Sequence, residues 1–389
     1  MRIVHVVESL EVGGAEHLVV DLARLQSERG HTVSIACLFR EGALAARARG
    51  MGIDVKNFKK SSGFDLGAIS RLRNWLRIRK PDVLHTHNPA AHYYAVAAAV
   101  GLGIERVIST RHGMGSEGAH SRRELLFRLA MGRTDCAVAV CEAARKSLVA
   151  RKSIAEDKAV TIPNGIDLTR FTPGKPLAKQ TLLASLSVPG NPVVFGSVGR
   201  LDAVKDQVTM LRAFHKFVRQ ITMVSRTPGP AAILVIAGDG EMRDALAQEL
   251  ALLELDAIAF LLGQRDDIPQ LLAGFDVFVL SSRSEGYSLA LVEAAATGLP
   301  IVATDVGGNA EIVQDEATGL LVPAGAPDAM ATAMLRLFEN EGARLEMGAA
   351  GRRWAQENGS IEYMSERYMA LYQGHGEKTG RFAAGGGHG

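Results

Sequence analysis

The stretch Asp276–Pro300, DVFVLSSRSEGYSLALVEAAATGLP, decides how the chain is read. Its opening run, Val277-Phe278-Val279-Leu280, has the length and β-branched content of a buried strand. Ser281–Gly286 is a polar turn, and the apolar series after it predicts a helix from about Ser288 to Thr297. Gly298 stands where a left-handed C-cap would end that helix, with Pro300 just beyond. Strand, loop and helix make half of a βαβ unit. In open parallel sheets ligands bind at the carboxyl ends of the strands, which is where this loop lies.

Two glutamates give the stretch its chemistry: Glu285 in the loop and Glu293 in the helix, seven residues between them. The backbone N–H groups near Gly286, Tyr287, Ser288 and Leu289 suit a phosphate, whose charge the helix dipole favours. A carboxylate one turn further along can accept two ribose hydroxyls, and one in the preceding loop can accept hydroxyls of a sugar at the other end of a diphosphate. The competing reading is a solvated loop charge and a helix-surface ion pair. Glu293 lies in an otherwise apolar helix, where an unpaired charge is costly, and this favours a functional partner.

The EGYSLALVEA segment resembles the glutamate-x7-glutamate motif of the retaining glycosyltransferases of family 4. The resemblance implies an α/β protein of the GT-B class, two Rossmann-like β/α/β domains facing across a cleft. It extends over about residues 1–373 and is most specific over 196–330.

The rest of the chain bears on that expectation. A chain of 389 residues is too long for one ordinary core and suits two domains. A hydrophobic fraction of 47% with 22% charged residues belongs to a globular protein. Cys37, Cys136 and Cys141 are odd in number and lack metal-site spacing, so they read as core thiols in a reducing compartment. MRIVHVVESLEVGG reads as a strand entering a glycine turn, Glu8 and Glu11 opposing a signal peptide. No apolar run approaches the ~18 residues of a membrane span. The expected location is cytoplasmic, with the inner face of a membrane as the peripheral alternative.

Charge is uneven. Residues 1–165 carry 25 Lys+Arg against 16 Asp+Glu, and the remainder 19 against 26. A basic first half suggests an anionic surface or substrate. Nucleic acid is not expected as a partner, since no helix-turn-helix, RNP-type strand or zinc-finger spacing appears.

The first half alternates strand and helix from Arg2–Val7 to Ala159–Ile162, implying a parallel sheet covered on both faces. Along it, the helices include Gly13–Arg29, Glu41–Arg49 and Leu66–Arg79. Gly13 and Gly14 follow the first strand, where paired glycines let backbone approach a ligand; a plain turn is the alternative. VGGAEH lacks G-x-G-x-x-G, so it gives no support to NAD. GGAE resembles the family's first loop, which implies a place near the donor phosphates and the acceptor.

Histidines gather at strand ends, His85 and His87 in LHTHN and His112 in STRHGM. A hydrogen-bonded structural ring is the ordinary fate of each. The resemblance implies that His112 contacts the donor sugar, and His87 is taken as an acceptor-side candidate. A metal site is not expected, because no carboxylate or cysteine stands at ligand spacing.

Two basic helices carry apolar residues. In ISRLRNWLRIRK, Ile69, Leu72, Trp75 and Leu76 share a face opposite Arg73, Arg77 and Lys80, an ordinary core-packed helix. SRRELLFRLAMGR sets Leu125, Leu126, Phe127 and Leu129 among Arg122, Arg123, Arg128 and Arg133. This second helix fits either core packing or contact with anionic lipid or a lipid-phosphate acceptor, with Arg122 and Arg123 on the acceptor side.

IPNGIDLTRFTPGKP, residues 162–176, is rich in turn formers and resembles the family's linker, placing the boundary at 166–178. The second domain is then 179–360, Ile361–Tyr372 a last helix crossing back to the first domain, and the glycine-rich end from 374 a disordered tail. After strand Val193–Val198, GRLDAVKD sets Arg200 and Lys205 about the turn into a helix beginning near Val204. Paired cations there suit a diphosphate. The segment resembles the family's GRL-x3-K motif, with Asp206 where glycine is common. Gly238 in GDG matches the family's tight turn, and GQRDDIPQLLAGFD resembles the loop that cradles the nucleobase, with Arg265 the side chain there. Asp328 is a candidate cap for a helix starting near Ala329.

The function expected is therefore metal-independent, retaining transfer of a sugar from a nucleotide diphosphate to an acceptor hydroxyl, in bacterial envelope or exopolysaccharide synthesis. Arg200, Lys205 and the helix start at Gly286–Leu289 would stabilise the leaving phosphate, and Glu285 and His112 would orient the sugar. The nucleotide sugar is a co-substrate, and no cofactor is expected. The alternatives are another GT-B enzyme, an epimerase or phosphorylase, or a catalytically silent nucleotide-sugar-binding subunit.

Overall fold

A computed structural model describes residues 1–114, 122–174, 176–222 and 230–375. They form two compact units, Met1–Gly165 with the segment from Ile361, and Ile166–Ser360. The end beyond residue 375, read above as a tail, lies outside the described residues.

In the first unit, strand and helix alternate as β1 (Arg2–Ser9), α1 (Gly14–Glu28), β2 (Thr32–Arg40), α2 (Leu44–Gly50) and β3 (Asp54–Asn57). They continue as α3 (Leu66–Arg79), β4 (Val83–His87), α4 (Pro89–Ala99), β5 (Arg106–Arg111) and α5 (Arg122–Met131). Then come β6 (Cys136–Ala139), α6 (Glu142–Ala150) and β7 (Ala159–Thr161).

The second unit opens with α7 (Pro176–Ser185), β8 (Val193–Val198), α8 (Gln207–Thr222), β9 (Ala232–Ala237) and α9 (Arg243–Leu252). Next are β10 (Ala259–Leu261), α10 (Ile268–Ala273), β11 (Val277–Leu280) and α11 (Leu289–Thr297). It closes with β12 (Ile301–Thr304), α12 (Asn309–Ile312), β13 (Gly319–Val322), α13 (Pro327–Glu339) and α14 (Glu341–Asn358). A final helix, α15 (Ile361–Tyr372), belongs to the first unit.

Each unit has one sheet. The first runs β3-β2-β1-β4-β5-β6-β7 and the second β10-β9-β8-β11-β12-β13. All their strand pairings are parallel. Strand order reverses direction between β1 and β4 in one and between β8 and β11 in the other. At such a switch the connections leave to opposite sides and open a crevice at the carboxyl ends.

Strands β4, β9, β11 and β12 are buried on both faces, as a covered parallel sheet requires. In the second unit, α8 sends Met210, Leu211, Phe214, Phe217 and Ile221 into the core at helical spacing. Phe195 of β8 meets Phe217 at a centroid distance of 5.2 Å in an edge-on arrangement. Helix α11 ends at Gly298, which is left-handed at φ 79. Gly348 of α14 lies so close to the Gly298 carbonyl that a Cβ there would approach to 2.1 Å.

Several expected boundaries move, for local reasons. Helix α2 starts at Leu44 rather than Glu41, because Glu41 O accepts from Leu10 N and Gly42, at φ 76, turns against the Leu10 backbone. The helix expected near Val204 begins at Gln207, since Asp202 Oδ1 holds the amides of Val204 and Lys205 in a turn. Asp328 is not a cap: it lies in the first turn of α13, after Pro327, and pairs with Lys216 at 2.5 Å. Residues 176–178, assigned above to a linker, already belong to α7, and the expected nucleobase loop contains α10.

Candidate functional site

In the second unit the loops after β8 and β11 are tied together. Lys205 Nζ donates to Glu285 Oε1 at 2.6 Å, and Ser282 Oγ donates to the same oxygen at 2.6 Å. Two more bonds join the loops: Arg283 N donates to Val204 O at 2.8 Å and Ser281 Oγ to Lys205 O at 2.9 Å. From β12, Thr304 Oγ1 donates to Ser282 O at 2.6 Å. Gly307 then crosses behind the loop, left-handed at φ 56, where a Cβ would stand 1.7 Å from Glu285 O. Only glycine permits that approach.

Asp206 explains a feature of the motif. It is left-handed at φ 48 and buried, so its place suits glycine or a short polar side chain. Its carboxylate accepts from Arg283 Nε at 2.9 Å and Thr209 Oγ1 at 2.8 Å. The aspartate thus replaces backbone freedom with a second tie between the two loops.

Helix α11 rises directly from this loop. Its first helical backbone bond is from Leu291 N to Ser288 O, so the amides of Ser288, Leu289 and Ala290 precede the ladder. Ser288 is the N-cap residue without a side-chain cap, and its buried Oγ has no partner among the described residues. Gly286 O accepts from Gly308 N at 3.0 Å and Tyr287 is buried, which fixes the entry to the helix. Glu293 is half-buried on the second turn; its backbone oxygen accepts from Thr297 Oγ1 at 2.8 Å, while its carboxyl has no hydrogen-bond partner among the described residues. Burial pushes its carboxyl up to about 7, with Arg170 opposing the shift.

Other expected residues are arranged differently. Arg200 does not close on Lys205: its side chain is 77% exposed and pairs with Asp202 at 3.3 Å. Arg265 is held by Asp267 through two bonds of 2.7 and 2.6 Å, so its fork is already occupied. Gly238, at φ 148, touches the loop after β8; a Cβ would meet Gly199 O at 1.8 Å. It shapes the Lys205 loop through its backbone.

The first unit holds a second constellation. Gly13 is the extended N-cap residue of α1 and Gly14 its first residue. His5 of β1, His85 and His87 of β4, and His112 after β5 converge. His5 Nδ1 lies 3.0 Å from His87 Nε2, and His87 Nδ1 lies 3.1 Å from His112 Nε2. His5 Nε2 is 2.8 Å from Gln26 Oε1. His85 bridges the Tyr372 hydroxyl at 2.6 Å and Thr110 Oγ1 at 2.7 Å. Burial lowers all four rings below the usual histidine range, His5 and His112 to about 4.

This corrects the reading of His87. Both its nitrogens are taken by other histidines and the residue is buried, so it is not placed to touch an acceptor. Ring nitrogens of His5, His85 and His87 lie within 4.8 Å of one another, near enough to surround an ion, a cluster the sequence spacing did not suggest. All six of those nitrogens are already hydrogen-bonded within the protein, and no carboxylate is in the set to offset a cation's charge. The arrangement fits neutral, satisfied rings better than a metal centre. His5, Gln26, Tyr368 and Tyr372 escaped the sequence reading; a histidine inside the apolar strand RIVHVV was the available signal.

Helix α5 buries Phe127, Ala130 and Met131 and leaves Leu125 and Leu129 exposed, at 58% and 67%. Arg122, Arg123 and Arg128 are exposed beside them. Leu125 and Leu129 border a recess of about 490 Å³ with Arg128, Lys152 and Lys158 on its rim. No helix among the described residues is long and apolar enough to cross a membrane.

Comparison with known proteins agrees with this layout. Residues 12–170 match the model of Glycosyltransferase Family 4, and residues 178–354 match that of Glycosyl transferases group 1. A UDP-Gal:alpha-D-GlcNAc-diphosphoundecaprenol alpha-1,3-galactosyltransferase of Escherichia coli is 30% identical over 285 residues, 71% of each chain. A D-inositol 3-phosphate glycosyltransferase of Nocardia farcinica is 32% identical over 273 residues, 66% of this chain and 58% of its own. Among solved structures, Anabaena Alr3699/HepE in complex with UDP superposes with a TM-score of 0.83 at 21% identity, covering 96% of this chain and 100% of that one.

Proposed function

Since the chain belongs to family 4 of the glycosyltransferases, with the GT-B fold, we propose that it retains anomeric configuration and draws its sugar from a uridine diphosphate donor. The chain is an enzyme of sugar transfer in glycan synthesis. The observation that carries the finer reading is the Lys205–Glu285 contact at the β8/β11 switch, Glu285 standing in the loop that leads into α11.

The assignment follows charge. Departure of the sugar leaves negative charge on the nucleotide diphosphate. Lys205 and the amides of Ser288 and Leu289, with those of Gly286 and Tyr287 contributing as the loop enters the helix, would stabilise it. Arg200, exposed at the surface and paired there with Asp202, would add a second cation on releasing that partner. Glu293 accepts the ribose hydroxyls, while Glu285 and His112 accept sugar hydroxyls. Gly13 and Gly14 would allow backbone approach at the α1 entrance once the Glu16 carboxylate, which lies against Gly13, moves aside. In the reaction the bond from the anomeric carbon to the phosphate oxygen breaks, its electron pair leaving with the phosphate. The acceptor oxygen bonds to the same face of the carbon, and its proton passes to the departing phosphate oxygen. Lys205 and the helix start supply the positive charge that a divalent ion supplies in other transferases, so the reaction is assigned no metal.

The acceptor is proposed to be lipid-linked. Support comes from the Escherichia coli relative, whose name gives a diphosphoundecaprenol acceptor, and from α5, whose exposed leucines stand among arginines. Arg122 and Arg123 would face the anionic side of that acceptor or of the membrane carrying it.

Calorimetric titration with UDP, GDP, ADP and dTDP tests the donor, and proton NMR of the product formed from an α-linked UDP-sugar tests the stereochemistry. UDP binding lost in Lys205→Ala, an α-linked product and turnover unchanged by EDTA are expected. A β-linked product overturns retention, and binding of UDP undiminished by Lys205→Ala overturns the site.

A further inference from the structure

The buried histidines of the first unit form an ordered series. Gln26 Oε1, His5, His87 and His112 are linked by contacts of 2.8, 3.0 and 3.1 Å. His87 rests against His112 with ring centroids 5.3 Å apart and planes 18° from parallel. Beyond His112 Nε2 the ring has one remaining polar atom, Nδ1. It is buried and has no partner among the described residues.

Burial holds these rings below the usual histidine range, so each is neutral at pH 7 and carries a single N–H. A neutral ring that donates through one nitrogen must accept through the other. Three rings and one amide joined end to end can therefore satisfy their bonds only if all the N–H groups point the same way. Gln26 selects the direction. Its amide nitrogen donates to the Tyr372 hydroxyl at 3.3 Å, which turns its oxygen toward His5. His5 then donates through Nε2 and accepts at Nδ1, His87 donates through Nε2 to His5, and His112 donates through Nε2 to His87. The same amide orients a second branch, in which the Tyr372 hydroxyl donates to His85 Nδ1 and His85 Nε2 donates to Thr110 Oγ1.

We propose that Gln26 is a positioning residue which, through His5 and His87, fixes His112 in the Nε2–H tautomer, so that it offers a bare Nδ1 as an acceptor for a ligand hydroxyl. Identifying that hydroxyl as one of the transferred sugar rests on the function proposed above; the tautomer series does not. A desolvated lone pair with no donor is unfavourable, and a hydroxyl placed there removes the deficit. A ligand lacking the hydroxyl would leave the deficit in place, a form of discrimination that apolar contact cannot supply.

Histidine-selective 15N NMR on the full chain, without ligand, reads this directly, because protonated and bare ring nitrogens resonate in separate ranges. In the wild type, His5, His87 and His112 should each show a protonated Nε2 and a bare Nδ1. Gln26→Leu removes the amide that sets direction, and His112 should become a mixture of tautomers. Gln26→Glu can only accept from His5, so it should restore the wild-type pattern at His112 while perturbing His85. A protonated Nδ1 at His112 in the wild type overturns the proposal, as does a His112 tautomer unmoved by Gln26→Leu. Should Gln26→Leu fail to fold, the wild-type and Gln26→Glu spectra still decide. Since no donor or acceptor is present, a failure here is distinct from a failure of the glycosyl-transfer reading, which nucleotide titration of the same samples reports.

Discussion

Lys205 and Glu285 are separated by eighty residues of chain and meet at 2.6 Å, one at the carboxyl end of each strand flanking the switch in the second sheet. Their side chains are only 20% and 11% exposed. A pair this sheltered is screened little by salt, and removing one member leaves the other's charge in a poor solvent. Lys205→Ala is expected to lower turnover about 10²–10³-fold, the usual effect of losing one group that stabilises developing negative charge. Glu285→Gln should keep nucleotide affinity within a few fold while abolishing transfer, since the amide oxygen can still accept from Lys205. Calorimetry and initial rates on the two variants separate these effects.

Glu293 gives a pH dependence with two opposite signs. Its carboxyl titrates near 7 in the folded chain against an ordinary 4.5, so the folded state keeps a proton that the unfolded state has released between those values. Its contribution to stability therefore falls as pH rises through 4.5 to 7 and is level above. Ribose recognition needs the carboxylate, so UDP affinity should rise through the same range and binding near pH 6.5 should release a proton. Glu293→Gln should remove both trends, as read by thermal melts and by calorimetry in buffers of different ionisation enthalpy.

Gly307 should tolerate nothing larger. Alanine there adds strain at φ 56 and a collision with the Glu285 carbonyl, so turnover should collapse in a protein that still folds. Gly325→Ala is the control, because at φ 68 its Cβ meets nothing within 4 Å. It should cost about 1 kcal/mol of stability, the price of a left-handed alanine, and leave rates unchanged. Similar rate losses in the two variants would remove the argument from close approach.

Acid should weaken the first unit before carboxylate protonation dominates. His5 and His112 titrate near 4 and His92 near 3 when folded, all below the ordinary 6.5. The unfolded chain takes up these protons first, so stability is lost as pH falls from 6.5 toward 4, on the order of 1–3 kcal/mol per histidine by pH 4.5. His92 lies between Thr86 Oγ1 and Thr134 Oγ1, so His92→Gln keeps polar contacts without the titration. Its melting temperature should fall less steeply with acid than that of the wild type.

The exposed face of α5 predicts lipid dependence. Leu125→Asp with Leu129→Asp should reduce sedimentation with vesicles containing anionic phospholipid by about tenfold or more, and leave binding of free UDP unchanged. Equal sedimentation of the variant would assign the leucines another role.

Much of the fold was legible because its elements follow single periodicities. Val277–Leu280 became β11 with the bounds the apolar run gave, and Ile361–Tyr372 became α15. The second unit was less legible where short helices interrupt turn-rich sequence, at Pro176 and Ile268. The Lys205 and Glu285 loops could be named because each motif is local, whereas their ties through Asp206, Arg283 and Gly307 join segments far apart in sequence. The histidine series was invisible for a related reason. Gln26, His5, His87 and His112 come from four elements, and only sheet order brings them side by side. The partners of Arg200 and Arg265 were not legible, since a cation in a loop says nothing about the carboxylate two residues on.

The placement of α15 bears on how the chain is made. Tyr368 and Tyr372 satisfy Thr110 of β5, His85 of β4 and Gln26 of α1, buried polar groups of the first unit. Those tyrosines leave the ribosome only after the entire second unit has been translated. The first unit must therefore wait on the nascent chain with its inner histidines short of partners, while residues 166–360 can complete a core of their own. The unit translated first is thus the last to be finished, and until then it is the natural client for a chaperone.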